Sequence, residues 1–386
     1  MFIKREIVSE LKYAATKYPV VIITGPRQSG KTTLVKKVFS GKKYISLEDI
    51  DVRELAIADP RTFLNKLTDG AILDEIQRAP ELLSYIQTIV DHSGKNGMFV
   101  LTGSNQFSLM ESINQSLAGR VALIKLMPLS MTELNHYYPS LQADDLLLNG
   151  FYPGIYANKR NPVKAYSDYY QTYVERDVRN LINIKDLSLF KKFVKLCAGR
   201  IGQIFNANNL SNEVGVSNKT ISAWISILEA SYIVFLLPPW YDNISKRLIK
   251  SPKLYFYDVG LASFLLGNKT KQHIEFHPLR GNIFENMIIL ELLKKVYNKG
   301  FEPDFYFYRD SNGNEVDLII PDGHNLIPVE IKSSETFHKS LLKSNLFIKK
   351  LYEERIKKSY LIYSGKQEQT VNGIDLLNYK NSAEII

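Results

Sequence analysis

The 386-residue sequence predicts an α/β protein with an N-terminal parallel-sheet domain, a central helical region and a smaller C-terminal α/β domain. In the first third of the chain, short apolar runs alternate with amphipathic helical segments, which is typical of a parallel sheet covered by helices on both faces. Further along, a charged helical stretch precedes a second group of strands. A chain of this length also exceeds one ordinary compact core. We therefore expect domains at residues 1–130, 131–270 and 271–386.

The first region contains five strand-like runs rich in β-branched and other apolar residues, each bounded by turn or helix signals. These runs are Val20–Thr24, Lys43–Leu47, Ala71–Leu73, Met98–Thr102 and Val121–Leu126. Their alternation with helices predicts that they pair in parallel.

The first strand leads into a glycine-rich segment that fits GxxxxGK[ST], the pattern of a phosphate-binding loop. The residues expected to surround a nucleotide triphosphate are Gly25, Pro26, Arg27, Gln28, Ser29, Gly30, Lys31, Thr32 and Thr33. Glycines allow the backbone N–H groups to wrap closely around phosphates, and the N-terminus of the following helix is positive. Lys31 is expected to reach the β- and γ-phosphates, and the Thr32 hydroxyl to ligate Mg²⁺. The segment predicts ATP and Mg²⁺ as ligands.

A second motif adds acidic groups to this site. The third strand ends in Asp74 and Glu75. We expect Asp74 to hold Mg²⁺, usually through water, and Glu75 to orient or deprotonate the attacking water. This pair favours ATP hydrolysis over nucleotide binding alone.

Three further polar residues follow or precede neighbouring strands. Ser104 and Asn105 follow the fourth strand, where they either contact the γ-phosphate and the attacking water or cap the next helix. Arg120 precedes the fifth strand. Its guanidinium either stabilises transition-state charge, in its own subunit or in a neighbour of a homo-oligomer, or forms a surface salt bridge.

These motifs together resemble a prokaryotic family of AAA-type ATPases that carry a C-terminal domain of unknown function. The resemblance covers nearly the whole chain and rests on residues 25–32, Leu73–Pro80, Leu101–Ser104, Leu117–Arg120, Tyr173–Asp177 and Gly281–Lys332. It implies an ATP-binding domain followed by a second module, and it implies no settled biological role.

The central region contains a helix-turn-helix pattern. Two helical segments between Asn208 and Ser231 flank a tight turn at Gly215, and the strand-rich stretch that follows them has the character of a wing. In a DNA reader, Asn218, Lys219 and Ser222 would enter the major groove. The second helix carries few cations and no arginine, so a packing or protein-contact role is the alternative.

The C-terminal region carries a constellation of acidic residues and a lysine. Glu330 and Lys332 share one face of a strand, since strand side chains repeat every second residue. Asp317 on the preceding strand and Glu285 on the long helix before it can join them. Carboxylates of this kind can hold Mg²⁺, here at Asp317 and Glu330, and a nearby lysine can activate water.

The order of these four residues is similar to that of the PD-(D/E)XK nuclease superfamily, in a plausible αβββαβ arrangement. This resemblance implies a nuclease-like domain, either active on DNA or RNA or retained as a binding module. Val316 stands where the superfamily places a proline before its first aspartate.

The composition indicates the cellular compartment of the protein and the kinds of partner that it could bind. The net charge is +9, which either favours a polyanionic partner or reflects solvated lysine-rich surfaces. A single cysteine, Cys197, excludes an intrachain disulfide and fits a reducing compartment. The N-terminal residues have no secretion-signal pattern, and the longest apolar runs are far too short to cross a membrane. We therefore expect a cytoplasmic protein.

Three functions fit these observations. The first is an ATPase whose nucleotide state controls a nucleic-acid-directed, nuclease-like C-terminal module. The second is an ATP-dependent switch whose non-catalytic C-terminal domain docks a protein partner. The third, a small-molecule kinase, is weakened by Glu75, which suits water activation. The adenine pocket is undetermined, although Lys4 and Arg5 lie near the first strand in sequence.

Overall fold

The computed structural model describes residues 1–103, 116–178, 186–243 and 250–386, without the side chains of residues 175–178. The chain divides into two compact units. Unit 1 contains Met1–Leu129 and Val296–Phe301, and unit 2 contains Ser130–Lys295 and Glu302–Ile386. Within the described ranges, none of the helices combines the length and the apolarity needed to cross a bilayer.

Unit 1 is built on a five-stranded sheet in which all neighbouring strands are parallel. The strands are β1 (Val20–Thr24), β2 (Lys43–Ser46), β3 (Ala71–Asp74), β4 (Phe99–Thr102) and β5 (Val121–Lys125). Their order is β2-β3-β4-β1-β5, so the carboxyl ends of β1, β4 and β3 lie side by side. The prediction of a parallel α/β sheet in this region is confirmed.

Helices cover both faces of this sheet. They are α1 (Val8–Lys17), α2 (Lys31–Val38), α3 (Ile50–Ala58), α4 (Pro60–Asn65) and α5 (Leu82–Ser93). Val20 and Ile22 of β1 pack into the core that includes α5, whereas Val21 and Ile23 pack into the core formed with α1 and α2. Burial on both faces explains why this strand is an unbroken apolar run.

Unit 2 begins with a helical region and a two-stranded antiparallel sheet. The helices are α6 (Met131–Asn135), α7 (Ala143–Asn149), α8 (Pro153–Ala157), α9 (Pro162–Tyr169), α10 (Leu187–Ala198), α11 (Ala207–Val214) and α12 (Asn218–Ala230). A π-helix, Tyr170–Val178, continues α9. The sheet pairs β6 (Val234–Leu237) with β7 (Lys253–Phe256), and α13 (Val259–Leu265) and α14 (Lys271–Glu275) follow it. Gly215, with φ +88°, ends α11, and Ser217 caps α12, which forms the expected tight turn.

The rest of unit 2 is a mixed sheet preceded by a long helix, whose last three residues, from Val296, are assigned to unit 1. The elements are α15 (Arg280–Asn298), β8 (Tyr306–Arg309), β9 (Glu315–Asp322), β10 (Asn325–Lys332), α16 (Lys343–Leu351), β11 (Tyr360–Tyr363), β12 (Gln369–Val371) and β13 (Ile374–Asn378). The strand order is β12-β13-β11-β10-β9-β8. The order from α15 to β11 agrees with the expected αβββαβ arrangement. β12 and β13 were not predicted. β12 has only three residues, and two of them are exposed, so it lacks an alternating apolar pattern.

Short 3₁₀ helices complete the described elements. They are Ile76–Arg78 in unit 1 and Lys339–Leu342, Glu353–Arg355 and Tyr379–Ile385 in unit 2.

Candidate nucleotide site and carboxylate cluster

The glycine-rich loop connects the carboxyl end of β1 to the first residue of α2. Gly25 has φ +138°, and a Cβ atom there would lie 2.2 Å from the carbonyl oxygen of Leu126. Gly30 precedes the helix with φ +94°. Both positions therefore require glycine, and the loop is held against the residue that follows β5.

Lys31 is buried inside this loop. Its Nζ donates to the carbonyl oxygens of Gly25 at 3.0 Å and Pro26 at 2.9 Å. Burial lowers the pKa of Lys31 to about 8, while the carboxylates of Glu75 and Asp74 oppose this shift. The ammonium is thus positioned within the loop by backbone contacts.

Asp74, at the end of β3, accepts hydrogen bonds from three hydroxyl groups. Thr32 Oγ1 lies 3.0 Å from each carboxylate oxygen, and Tyr44 OH lies 2.7 Å from Oδ2. Thr102, the last residue of β4, donates to Oδ1. Burial and the bond to Asp74 raise the pKa of Tyr44 to about 12. The strand order brings Thr32 and Asp74 together although 42 positions separate them.

Glu75 follows directly, in a left-handed conformation with φ +59°. Its N–H donates to Thr102 Oγ1 at 3.2 Å, and Gln77 donates to its carboxylate. A non-glycine residue in this region of backbone space carries strain, which the surrounding turn sustains. The turn aims the Glu75 side chain separately from that of Asp74.

Arg5 is a buried residue of this site whose contacts the sequence did not indicate. Its guanidinium donates to the carbonyl oxygens of Ser29 at 3.0 Å, Met127 at 2.6 Å and Pro128 at 3.3 Å. It ties the phosphate-binding loop to the chain that leaves β5. Since its donors are used on backbone carbonyls, Arg5 acts here as a brace for the loop.

Arg120 lies at the opposite edge of the sheet from the loop. Its carbonyl accepts a hydrogen bond from the N–H of Val20, the first residue of β1, whereas the loop follows the last residue. The two ends of β1 are about 13 Å apart at 3.3 Å per residue. The guanidinium instead pairs with Asp91 of α5, with NH2 3.0 Å from Oδ2.

Within one subunit Arg120 therefore does not reach the loop, which corrects the own-subunit alternative, and a role across subunits stays a prediction. Ser104 and Asn105 lie outside the described residues.

In unit 2, three of the four nuclease-like residues are in contact. Lys332 Nζ lies 2.6 Å from Glu330 Oε1 and 3.3 Å from Asp317 Oδ2. Asp317 Oδ2 also accepts the N–H of Ile331 at 2.8 Å, and Ser344 donates to Glu330 at 3.1 Å. Burial and the Asp317 charge raise the pKa of Glu330 to about 8. Glu330 Oε2 is buried without a hydrogen-bond partner among the described residues.

Glu285, the fourth, is paired with a second lysine, Lys253, which no sequence pattern indicated. Lys253 of β7 has 1% of its surface exposed, and its Nζ lies 3.1 Å from Glu285 Oε1 and 2.5 Å from Glu315 Oε1. Tyr255 donates to Glu285 as well. Burial and the nearby Asp317 raise the pKa of Glu285 to about 7.

We call Glu285, Glu315, Asp317 and Glu330 the carboxylate cluster. Two buried or half-buried lysines compensate its charge, and across the described ranges no group of three or more His, Cys, Asp or Glu side chains is arranged to hold a metal ion. A cation at Asp317 and Glu330 would compete with Lys332. The carboxylate oxygens and the free Glu330 Oε2 nevertheless have the hard-donor chemistry that Mg²⁺ prefers.

The helix-turn-helix residues are accessible. Asn218, Lys219 and Ser222 are all exposed at the start of α12, and Asn218 donates to Asn208 of α11. These side chains are accessible to a partner, and their polar character fits DNA and protein equally well.

Sequence relatives extend over most of the chain. The uncharacterized proteins Rv2008c of Mycobacterium tuberculosis and Mb2031c of Mycobacterium bovis are each 30% identical to it over 337 residues, which is 86% of this chain and 74% of theirs. The chain belongs to the same family as these two proteins. An uncharacterized protein of Haemophilus influenzae is 24% identical over 72% of this chain and 75% of its own length.

Three domain models match successive parts of the present chain. An AAA domain model matches residues 17–135, and two domains of unknown function, DUF8612 and DUF4143, match residues 140–272 and 280–381. Unit 1 therefore contains an AAA-type P-loop domain of the ATPase class. Among solved structures, the Walker-type ATPase PABY2304 of Pyrococcus abyssi is similar with a TM-score of 0.47 and 15% identity, over 69% of this chain and 96% of that one.

Proposed function

We propose that this AAA-type protein binds ATP with Mg²⁺ at the loop of unit 1 and hydrolyses it. The observation that carries the proposal is the convergence of Lys31, Thr32 and Asp74 at the carboxyl edge of the sheet, with the Thr32 hydroxyl 3.0 Å from the Asp74 carboxylate oxygens. A hydroxyl and a carboxylate are hard oxygen ligands, so these residues fit Mg²⁺. Phosphoryl transfer depends mainly on positioning and on stabilisation of charge, which this arrangement supplies.

Each residue then has a defined task. The backbone from Gly25 to Thr33 binds the phosphates, and Lys31 neutralises the β- and γ-phosphate charge. Thr32 and Asp74 hold Mg²⁺, which supplies charge neutralisation at the phosphate oxygens. Glu75 orients the attacking water. Ser104 or Asn105 contacts the γ-phosphate after β4, and Arg120 serves a neighbouring subunit.

Two substitutions test this function. Lys31→Ala should abolish phosphate release and ATP binding, whereas Glu75→Gln should preserve binding and slow release at least 100-fold, as expected for loss of a general base. Lys37→Ala and Glu81→Gln, both exposed, are the matched controls. Unchanged release in both test variants would remove the proposed site. Transfer of the γ-phosphate to a metabolite rather than to water would identify a kinase instead.

We propose as a second activity that unit 2 cleaves phosphodiester bonds of DNA or RNA with Mg²⁺ at Asp317 and Glu330. Its support is the contact of the Lys332 ammonium with both carboxylates. Asp317 and Glu330 would hold the ion, and Lys332 would orient the attacking water and stabilise developing phosphate charge. In this proposal the nucleotide state of unit 1 controls cleavage, and the exposed start of α12 contributes to nucleic-acid binding. The rival proposal is a non-catalytic module that docks a protein partner.

Cleavage assays with the full chain separate these two proposals. Mg²⁺-dependent cutting of supercoiled DNA or single-stranded RNA should be lost in Lys332→Ala and Asp317→Asn and retained in Lys339→Ala, an exposed lysine. Cutting that survives Lys332→Ala would show that the assigned residues are wrong. The docking module would be favoured if no nucleic acid is cut in the presence of ATP, in the presence of ADP or without nucleotide, while a protein binds in a nucleotide-dependent manner.

A further inference from the structure

The Asp74 carboxylate is nearly saturated by hydroxyl donors from three elements. Thr32 comes from α2, Tyr44 from β2 and Thr102 from β4. A carboxylate has about four lone-pair positions. Three hydroxyl protons therefore leave about one position open.

Tyr44 is held in place from its other side. Lys36 Nζ lies 3.5 Å from the centroid of the Tyr44 ring, which is close enough for a cation–π interaction. Lys36 belongs to α2, the helix that begins with Lys31 and Thr32. The ring thus lies between the helix that follows the phosphate-binding loop and the carboxylate at the end of β3. Such a fixed hydroxyl limits rotation of the carboxylate.

We propose that Tyr44 is a positioning residue for Mg²⁺. Its hydroxyl donates to Oδ2 and so fixes the orientation of Asp74, the carboxylate that would hold the ion together with Thr32. This inference rests on the proposed MgATP site and specifies how that site sets its affinity for the ion. Partners that orient metal-binding side chains typically change metal affinity by about 10–100-fold when they are removed.

The test separates Mg²⁺ affinity from nucleotide affinity in the full-length protein. A fluorescent ATP analogue is titrated in EDTA and then at increasing MgCl₂. In Tyr44→Phe, the Mg²⁺ concentration that gives half of the maximal change in analogue binding should rise about tenfold or more, because the Asp74 carboxylate is no longer held in one orientation. Binding in EDTA should be unchanged, because Lys31 and the loop are intact. Tyr13→Phe is the matched control, since Tyr13 lies on α1 and is 57% exposed.

An unchanged Mg²⁺ midpoint in Tyr44→Phe would overturn the inference. Lys31→Ala distinguishes this failure from failure of the site: wild-type nucleotide binding in Lys31→Ala would refute the MgATP site itself. If Tyr44→Phe unfolds at a much lower temperature than the wild type, Lys36→Met decides by the same criterion. It releases the ring but keeps the hydroxyl, and the adjacent exposed Lys37→Met is its control.

Discussion

Replacing Lys253 with methionine tests whether the carboxylate cluster depends on a cation from β7. The change keeps an unbranched side chain of similar length and removes the charge from a residue that is 1% exposed. Glu315 keeps Arg309, at 3.3 Å, but Glu285 loses its ion-pair partner and is itself buried. Removing one member of a buried ion pair costs about 3–5 kcal/mol. We expect unit 2 to lose about this much stability at pH 8.

The pH dependence has a definite sign. Burial and Asp317 raise the pKa of Glu285 from 4.5 to about 7, so the folded state favours its protonated form. The stability that comes from protonated Glu285 is fully present below pH 4.5, the pKa in the unfolded chain. It is lost as the pH rises through about 7, the pKa in the folded protein. Without Lys253 the pKa rises further. The loss caused by Lys253→Met should therefore be largest at pH 8 and smaller at pH 5.

A second substitution and a local probe complete the experiment. Glu285→Gln in the Lys253→Met background removes the unpaired charge and keeps an acceptor for Tyr255, so it should recover most of the lost stability. Both tryptophans, Trp224 and Trp240, lie in unit 2, and their fluorescence during urea unfolding reports on that unit.

Lys271→Met is the matched control for this experiment. It breaks an ion pair to Asp145 in which the lysine side chain is 55% exposed, so it should cost about 1 kcal/mol or less. If Lys253→Met costs no more stability than this control at pH 8, or if Glu285→Gln recovers none of the loss, Glu285 does not depend on Lys253.

Three further predictions concern unit 1. Because burial lowers the pKa of Lys31 to about 8, ATP affinity in equilibrium titrations should fall by up to about tenfold per pH unit above pH 8; a flat profile from pH 8 to about pH 10 would contradict this. Gly25→Ala should abolish ATP binding in the same titration, because its Cβ would lie 2.2 Å from the Leu126 carbonyl oxygen, whereas Gly41→Ala, with open space around it, should bind normally. Arg5→Gln should lower the free energy of unfolding by about 3 kcal/mol in calorimetry, since it removes charged donors from three buried carbonyls; an unchanged transition would argue against a bracing role.

The sequence predicted the local arrangement of the glycine-rich loop. Its glycines and the helix start stand in direct succession, so the placement of Lys31 and Thr32 follows from adjacent residues, and their roles stay predictions. The contacts of Arg5 and Tyr44 were not predicted. Arg5 contacts residues 24 to 123 positions away, and Tyr44 contacts a residue 30 positions away. No local pattern distinguishes such an arginine or tyrosine from an ordinary one.

Arg120 shows a signal that was present in the sequence. A residue directly before a strand lies at the amino edge of a parallel sheet, whereas the phosphate-binding loop follows a strand and lies at the carboxyl edge. Applied to β1 and β5, this rule places Arg120 away from the loop of its own subunit, as the structure does.

The carboxylate cluster was predicted in part. Alternation along β10 placed Glu330 and Lys332 on one face, and the same rule applied to β9 would have added Glu315 to Asp317. Lys253 had no comparable signal, because it lies on β7, 32 residues before Glu285, in a stretch interpreted as a wing.

The pairing of Lys253 with Glu285 has a consequence for hybrid proteins made from this chain and its relatives. Lys253 lies within the region matched by DUF8612, and Glu285 within the region matched by DUF4143. Genetic recombination between family members at the junction of the two regions would separate a buried anion from its counter-ion. Hybrid proteins should therefore fold well only when the incoming central region brings a cation to the position of Lys253.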